Sequence, residues 1–268
     1  MSHSSSPSDA SDPHRIAVVT GASKGIGREI AVALAGEGID IAINYKGDRQ
    51  GAEETAEMIR SRGRLALTVQ ADVGVRAEVN RMFDLVTEKL GLPEILVNNA
   101  GRQTWAPLLE LDEEDWDLTL RTNLTGTFLC TQRAARDMAS QGKGCIINIG
   151  SGCNKVPFPS LIDYTSSKGG IEMFTRVAAV ELGVYGITVN CIAPGAIEIE
   201  RTRAESPDYA RTWSEITPMG RVGRAEDVAS AVIFIASPAA RFISGQTLYV
   251  DGGLFTKGAW PYEVKRLI

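Results

Sequence analysis

The chain has 268 residues, 44% of them hydrophobic, with a formal net charge of −5, enough for one large α/β domain with a sizeable core. The acidic balance argues against nucleic acid as the main partner, since phosphate binding needs a basic face. No apolar run reaches the roughly 18 residues that span a bilayer, and the cysteines (130, 145, 153 and 191) lack CxxC spacing, which suits reduced thiols in the cytoplasm and no metal site.

Residues 1–14, rich in Ser, Pro and Asp, read as a disordered leader without the apolar core of a signal peptide. Order is expected from Arg15 to the end as one domain. Strands are predicted at 16–20, 39–44, 65–69, 94–98, 145–150, 187–192 and 247–251. Several are apolar almost throughout, as strands covered on both faces must be. Helical segments fall between them, for example at 25–35, 52–60, 77–89 and 226–236. This alternation predicts a single doubly wound Rossmann domain, a seven-stranded, mostly parallel sheet with helices on both faces. The polar stretch 195–220 follows a strand end directly. Ligands of such sheets lie outside the carboxyl ends of strands, so this stretch is expected to be a substrate loop or lid.

The turn TGASKGIG, Thr20 to Gly27, follows the first strand and opens a helix. Gly21 permits the tight turn, and Gly25 and Gly27 carry no side chain to block a pyrophosphate from the helix N-terminus. Ser23, Lys24 and Ile26 complete this phosphate turn. At the end of the second strand an NAD site usually carries a carboxylate. Here the tip reads Asn44-Tyr45-Lys46, with Lys24 and Arg49 in the same neighbourhood. Cations suit a 2′-phosphate, so NADP(H) is expected in preference to NAD(H), with Asp48 as the residue that would favour NAD(H).

The only histidines are His3 and His14, both in the leader, so proton transfer falls to other groups. Tyr164 and Lys168 stand four residues apart, on one face of a helix. A tyrosine near its reference pKa of about 10 is a poor base at neutral pH. A neighbouring ammonium is expected to favour the phenolate and bring it toward working range. Ser151, at a strand end, can donate a hydrogen bond to a substrate oxygen as charge develops there.

Together TGASKGIG, Asp72-Val73, NNAG at 98–101, Asn123, Ser151, the Tyr164/Lys168 pair, Pro194-Gly195 and SGQTLYVDGG at 244–253 resemble the short-chain dehydrogenase/reductase family over almost the whole chain. The resemblance implies hydride transfer between nicotinamide and an alcohol or carbonyl substrate. It further implies that Lys168 holds the nicotinamide ribose and that Asn123 fixes a water linked to Lys168. Asp72 and Val73 would flank the adenine, and Asn99, Ala100 and Gly101 would line the cofactor floor. Two departures stand out: Ile199 replaces a frequent threonine, which moves carboxamide anchoring to backbone near Ile197, and Gly150 precedes Ser151 where a serine is usual. VPFPSLIDYTSSKGG and TLYVDGGLFTK look like glucose 1-dehydrogenases, with Glu198, Glu200 and Asp163 as candidate partners of sugar hydroxyls. The overall pattern also resembles 3-oxoacyl-[acyl-carrier-protein] reductases, for which Arg102, Arg133 and Arg136 would form a landing patch. A reading of another class is a non-catalytic dinucleotide-binding redox sensor. Family members are commonly homotetramers or dimers, and the tail 254–268, with Trp260 and Tyr262, is expected to pack on a neighbouring subunit.

Overall fold

The computed structural model describes residues 15–256 and Gly258. The leader and most of the tail, including Trp260 and Tyr262, lie outside the described residues. Seven strands form one sheet: β1 (Ile16–Val19), β2 (Asp40–Tyr45), β3 (Ala66–Gln70), β4 (Ile95–Asn98), β5 (Gly144–Ile149), β6 (Ile187–Pro194) and β9 (Thr247–Val250). Their order is β3-β2-β1-β4-β5-β6-β9, and every pairing is parallel. Two further strands, β7 (Ile197–Glu198) and β8 (Gly223–Arg224), pair with each other as a small parallel ladder.

Alternation within the strands explains why both faces are covered. In β1, Ala17 and Val19 join one core, while Ile16 and Val18 join the other, because successive side chains point to opposite sides of a sheet. The first core packs α1 (Gly25–Gly36), α2 (Arg49–Arg60) and α9 (Ala225–Ala236) through residues such as Ile30, Leu34, Ile59 and Val232. The second packs α3 (Arg76–Lys89), α5 (Gly126–Gln141) and α6 (Ile162–Leu182) through Met82, Phe83, Leu129 and Ala178. A buried polar seam crosses the sheet centre. In-register Asn98 and Asn148 share a 2.9 Å bond, extended to Thr131 and Thr175.

The strand order reverses direction between β1 and β4. At such a point the connections diverge and leave a crevice at the carboxyl ends. Two features there were not read from the sequence. First, α4 (Glu113–Leu120) runs into α5 through a π-helical turn, Arg121–Thr125, which contains Asn123. Such wide turns gather at functional sites. Second, 195–220 is more regular than its polar composition suggested: it holds β7, α7 (Glu200–Glu205) and α8 (Tyr209–Ile216), elements too short to leave a readable period.

Candidate active site

The turn after β1 is built by hydrogen bonds that the strands bring to it. Gly21 adopts φ +61° and Gly25 φ +56°, left-handed conformations that glycine takes without a Cβ penalty. Asn44 Oδ1 accepts from Gly21 N–H at 3.2 Å, while its amide donates to the Ala71 carbonyl at 3.0 Å. Asn99 donates to the carbonyls of Thr20 and Gly21 at 2.9 and 3.0 Å. Arg28 donates to the Ser23 carbonyl at 2.6 Å. The helix α1 then opens at Lys24, with extended backbone and no side chain capping it. Its first N–H groups and the positive end of its dipole therefore face the crevice with no side-chain acceptor supplied, which suits a pyrophosphate.

The glycines divide their work differently from the expectation. A Cβ on Gly27 would lie 2.4 Å from both the Asn99 amide and the Gly21 carbonyl. Gly27 is thus needed for helix-on-turn packing, not to clear a ligand path. A Cβ on Gly25 would meet Ile199 at 3.5 Å, so the residue in the place of the usual threonine roofs the turn with a hydrocarbon side chain. Ile26 packs its side chain on the core. Tyr45 likewise turns its ring into the core, and its carbonyl accepts from Ala71 N–H; any contact it makes with a ligand falls to its backbone. Ala100 N–H bonds Thr20 Oγ1 at 3.0 Å, and Gly101 abuts Asn123 Oδ1.

At the β2 end the cations are in place but paired. Lys46 Nζ lies 2.7 Å from Asp72, and Lys24 Nζ lies 3.9 Å from Asp48. Partial burial works to raise the Asp72 carboxyl, yet Lys46, the Gly74 N–H and Arg121 outweigh it and hold the carboxyl below its usual range. Asp48 is committed as the N-cap of α2, accepting from Gly51 N–H at 3.0 Å. Val73 is buried against Gly126. The uncapped helix and the glycine cradle together fit a nicotinamide dinucleotide.

The candidate catalytic side chains converge at the ends of β5 and α6. Ser151 follows β5 with extended backbone, and its Oγ accepts from Cys153 N–H at 3.3 Å. Tyr164 stands in the first turn of α6, with its hydroxyl close enough to Ser151 for the serine to favour its ionised form. Lys168, one turn further on and buried, donates to the Ile149 carbonyl at 2.6 Å. Its ammonium lies 5.5 Å from the centroid of the Tyr164 ring, over the face instead of at the hydroxyl. The expected depression of the tyrosine is accordingly not what this geometry produces. Burial pushes the Tyr164 hydroxyl up to about 12, against the lowering effect of Ser151 and Arg201. Burial also brings Lys168 down to about 8.

Asn123 is fully buried in the π-helical turn. Its Oδ1 accepts from Arg102 N–H at 2.8 Å, and its amide donates to the Arg102 carbonyl and to Ser167 Oγ, both at 2.9 Å. Ser167 Oγ donates onward to the Tyr164 carbonyl at 2.7 Å. Asn123 therefore ties the loop after β4 to the first turn of α6. Pro194 ends β6, and Gly195 leaves room for Asp251, which a Cβ would approach to 2.7 Å. Ile197 is buried in β7. Sequence reasoning missed Asn44, Arg28 and Ser167; the available signal was a polar residue at the end of an apolar strand or inside a motif already in hand.

Most of the candidate sugar and carrier-protein contacts already have partners within the chain. Asp163 is fully buried and accepts from Tyr164 N–H at 2.6 Å, and Glu198 pairs with Arg203. Arg102 is bound to Asp115, and Arg133 to Asp84 and Asp137. Among the described residues no cluster of His, Cys, Asp and Glu could hold a metal ion, and no helix is long and apolar enough to cross a membrane.

Comparison with known proteins agrees with this geometry. Residues 21–255 match the family model described as enoyl-(acyl carrier protein) reductase. The chain is 40% identical over 242 residues to the 3-oxoacyl-[acyl-carrier-protein] reductase FabG of Staphylococcus epidermidis, covering 90% of this chain and 99% of that one. It is 39% identical over 240 residues to 3beta-hydroxysteroid dehydrogenase 1 of Eggerthella lenta, covering 88% and 92%. The structure of a gluconate 5-dehydrogenase from Burkholderia cenocepacia in complex with NADP and tartrate superposes with a TM-score of 0.86 at 37% identity, covering 91% of this chain and 96% of that one. The chain belongs to the short-chain dehydrogenase/reductase family and is an oxidoreductase acting on alcohol or carbonyl groups.

Proposed function

We propose that this protein is an NADP(H)-dependent carbonyl reductase in which Tyr164 is the proton donor. The observation that carries the reading is the convergence of Ser151 after β5 with Tyr164 and Lys168 on the first turns of α6, the Lys168 ammonium 5.5 Å from the Tyr164 ring centroid. When bound, the nicotinamide supplies the hydride. Ser151 orients the substrate oxygen and donates to it as negative charge grows. Tyr164, raised to about 12, keeps its proton at neutral pH and delivers it to that oxygen. Lys168 holds the nicotinamide ribose, and its positive charge stabilises the phenolate left behind. Asn123 acts as a positioning residue through Ser167 and the Tyr164 carbonyl.

Lys24 and Lys46 support NADP(H), as does the NADP in the Burkholderia relative. Two expectations from sequence belong to the same reading. The cytoplasm is supported by four buried free thiols. A homotetramer is supported by the exposed stripe Met173, Val177 and Val180 on α6, continued by Val184 just beyond its end, an apolar face that calls for cover. Identity to the FabG reductases favours a 3-oxoacyl thioester as a second substrate reading; the pairing of Arg102 and Arg133 speaks against those residues as the carrier's landing patch. The test is NADPH oxidation with a small diketone, diacetyl, comparing wild type with Tyr164→Phe. Turnover is expected to fall by roughly 10²- to 10⁴-fold with NADPH affinity unchanged. Equal turnover in the variant removes Tyr164 from the mechanism. NADPH binding with no turnover of any carbonyl makes the protein a dinucleotide sensor.

A further inference from the structure

The wall of the crevice beyond Ser151 is aromatic. Phe158 meets the Trp213 ring edge-on, with centroids 5.6 Å apart, and the Phe255 ring at 5.8 Å. Tyr209 continues the row, 6.0 Å from Trp213. The row joins three separate parts of the chain: the loop after β5, the lid helix α8 and the segment after β9. It also packs against the residue next to Ser151. Gly152, the neighbour of Ser151, lies so close to Phe255 that a Cβ there would stand 1.7 Å from the ring. At the far end, Tyr209 lies near enough to Tyr164 for the charge of one to oppose ionisation of the other.

Beside this wall, next to the first turn of α6, a cavity of about 410 Å³ is lined by Pro107, Leu108, Phe158, Pro159 and Ile162 among others, with no charged side chain. Its floor is held in shape by strain. Ser160 is the only non-glycine residue at positive φ (61°) among the described residues, and its carbonyl accepts from Ala106 N–H at 3.1 Å. A serine in that conformation costs of order 1–3 kcal/mol and persists only where surrounding contacts impose it. Leu108, which lines the cavity, is exposed, as are its neighbours in the chain Trp105 and Leu109, an apolar surface that water disfavours. The polar groups of its lining are the hydroxyls of Ser160, Thr165 and Ser166, fewer than a polyhydroxylated substrate needs to replace its lost water, whereas an apolar ring would gain contact area.

We propose that Phe158, Trp213 and Phe255 are specificity-determining residues, and that the site reduces ketones carrying an apolar ring system in preference to polyhydroxylated substrates. This inference rests on the carbonyl-reductase reading above. The wall sets affinity for the apolar part of the substrate, while Ser151 and Tyr164 act on its oxygen. Substrates too small to reach the wall are indifferent to it.

The experiment compares the full chain, Trp213→Ala, Phe158→Ala and Trp213→Phe with NADPH and three probes: 2-tetralone, 5-ketogluconate and diacetyl. Wild type is expected to favour 2-tetralone over 5-ketogluconate in kcat/KM by at least about tenfold, the scale of one buried hydrophobic contact. Each alanine variant is expected to raise KM for 2-tetralone by about tenfold or more with kcat nearly unchanged. Diacetyl turnover and NADPH affinity should stay within about threefold, and Trp213→Phe should restore most of the loss. A wild-type preference for 5-ketogluconate overturns the inference, as does an equal loss on all three probes, which would make the wall a folding element only. If diacetyl is reduced through Tyr164 but 2-tetralone is not preferred, only the inference fails. If no probe is reduced although NADPH binds, the carbonyl-reductase reading falls and this one with it.

Discussion

Lys46→Glu is the substitution that most directly tests the cofactor assignment. Lys46 Nζ sits 2.7 Å from Asp72, and the lysine side chain is 64% exposed. An ion pair this open to water is worth about 0–1 kcal/mol, so exchanging the carboxylate for a 2′-phosphate costs little. A charge-assisted bond from the ammonium to phosphate contributes about 1.5–3 kcal/mol, which is roughly 10- to 150-fold in affinity. Lys46→Ala should lose that amount for NADPH and leave the Asp72 charge without its ammonium partner beside the phosphate. Lys46→Glu should lose more, since two carboxylates then face the anion. NADH carries no 2′-phosphate, so its kcat/KM should move less than about threefold. The assay is kcat/KM for both cofactors at one saturating carbonyl substrate, repeated at low and high salt. The wild-type preference for NADPH should shrink with salt, because exposed charges are screened beyond about 10 Å at 0.1 M. An unchanged NADPH-to-NADH ratio in Lys46→Glu would refute the reasoning and leave Asp48 as the ribose residue of an NAD enzyme.

Two further outcomes follow from the same coordinates. Lys168 is held near 8 by burial while Tyr164 stays protonated up to about 12, so carbonyl reduction should fall as pH rises through about 8, when the ammonium that stabilises the phenolate is lost. A profile flat to pH 10 would show that this charge is not used. Gly27→Ala places a methyl 2.4 Å from the fixed Gly21 carbonyl; it should cost about 1–3 kcal/mol, lower Tm by several degrees and weaken NADPH binding. Gly36→Ala, with nothing within 4 Å of the new Cβ, is the control and should be neutral or stabilising. Equal behaviour of the two glycines would mean the turn yields more than its hydrogen bonds suggest.

The seven strands were legible because burial on both faces leaves an apolar run that few other structures require, and the strand ends observed fall within a residue or two of those expected. The glycine turn, Ser151, Tyr164 and Lys168 were legible because chemistry fixes their residue types and helix geometry fixes one spacing. Sequence could not show which way a side chain turns. Tyr45 and Lys46 are adjacent, yet one enters the core and the other faces water. Spacing placed Lys168 beside Tyr164 but could show neither its ammonium at the Ile149 carbonyl nor the burial that raises the tyrosine hydroxyl. The aromatic wall was illegible for another reason: its members, Phe158, Trp213 and Phe255, lie far apart in the chain and only the fold brings them into contact.

The residues that hold the site in place are themselves mostly out of reach of a substrate. Asn44 and Asn99 bond the turn after β1 from two neighbouring strands, and Asn123 bonds the β4 loop to α6 through Ser167. Each spends its amide on backbone groups that would otherwise lie buried and unpaired, at a cost of about 1–3 kcal/mol apiece. That cost explains why a polar residue is retained inside an apolar sheet. It also separates two kinds of damage. On the proposed mechanism, replacing Ser151 or Tyr164 should remove a reacting group with the fold kept, whereas replacing Asn99 by Ala releases the carbonyls of Thr20 and Gly21 and should loosen the turn proposed to hold the dinucleotide. The first should leave NADPH affinity unchanged and the second should weaken it, so cofactor binding measured beside turnover tells a positioning residue from a catalytic one.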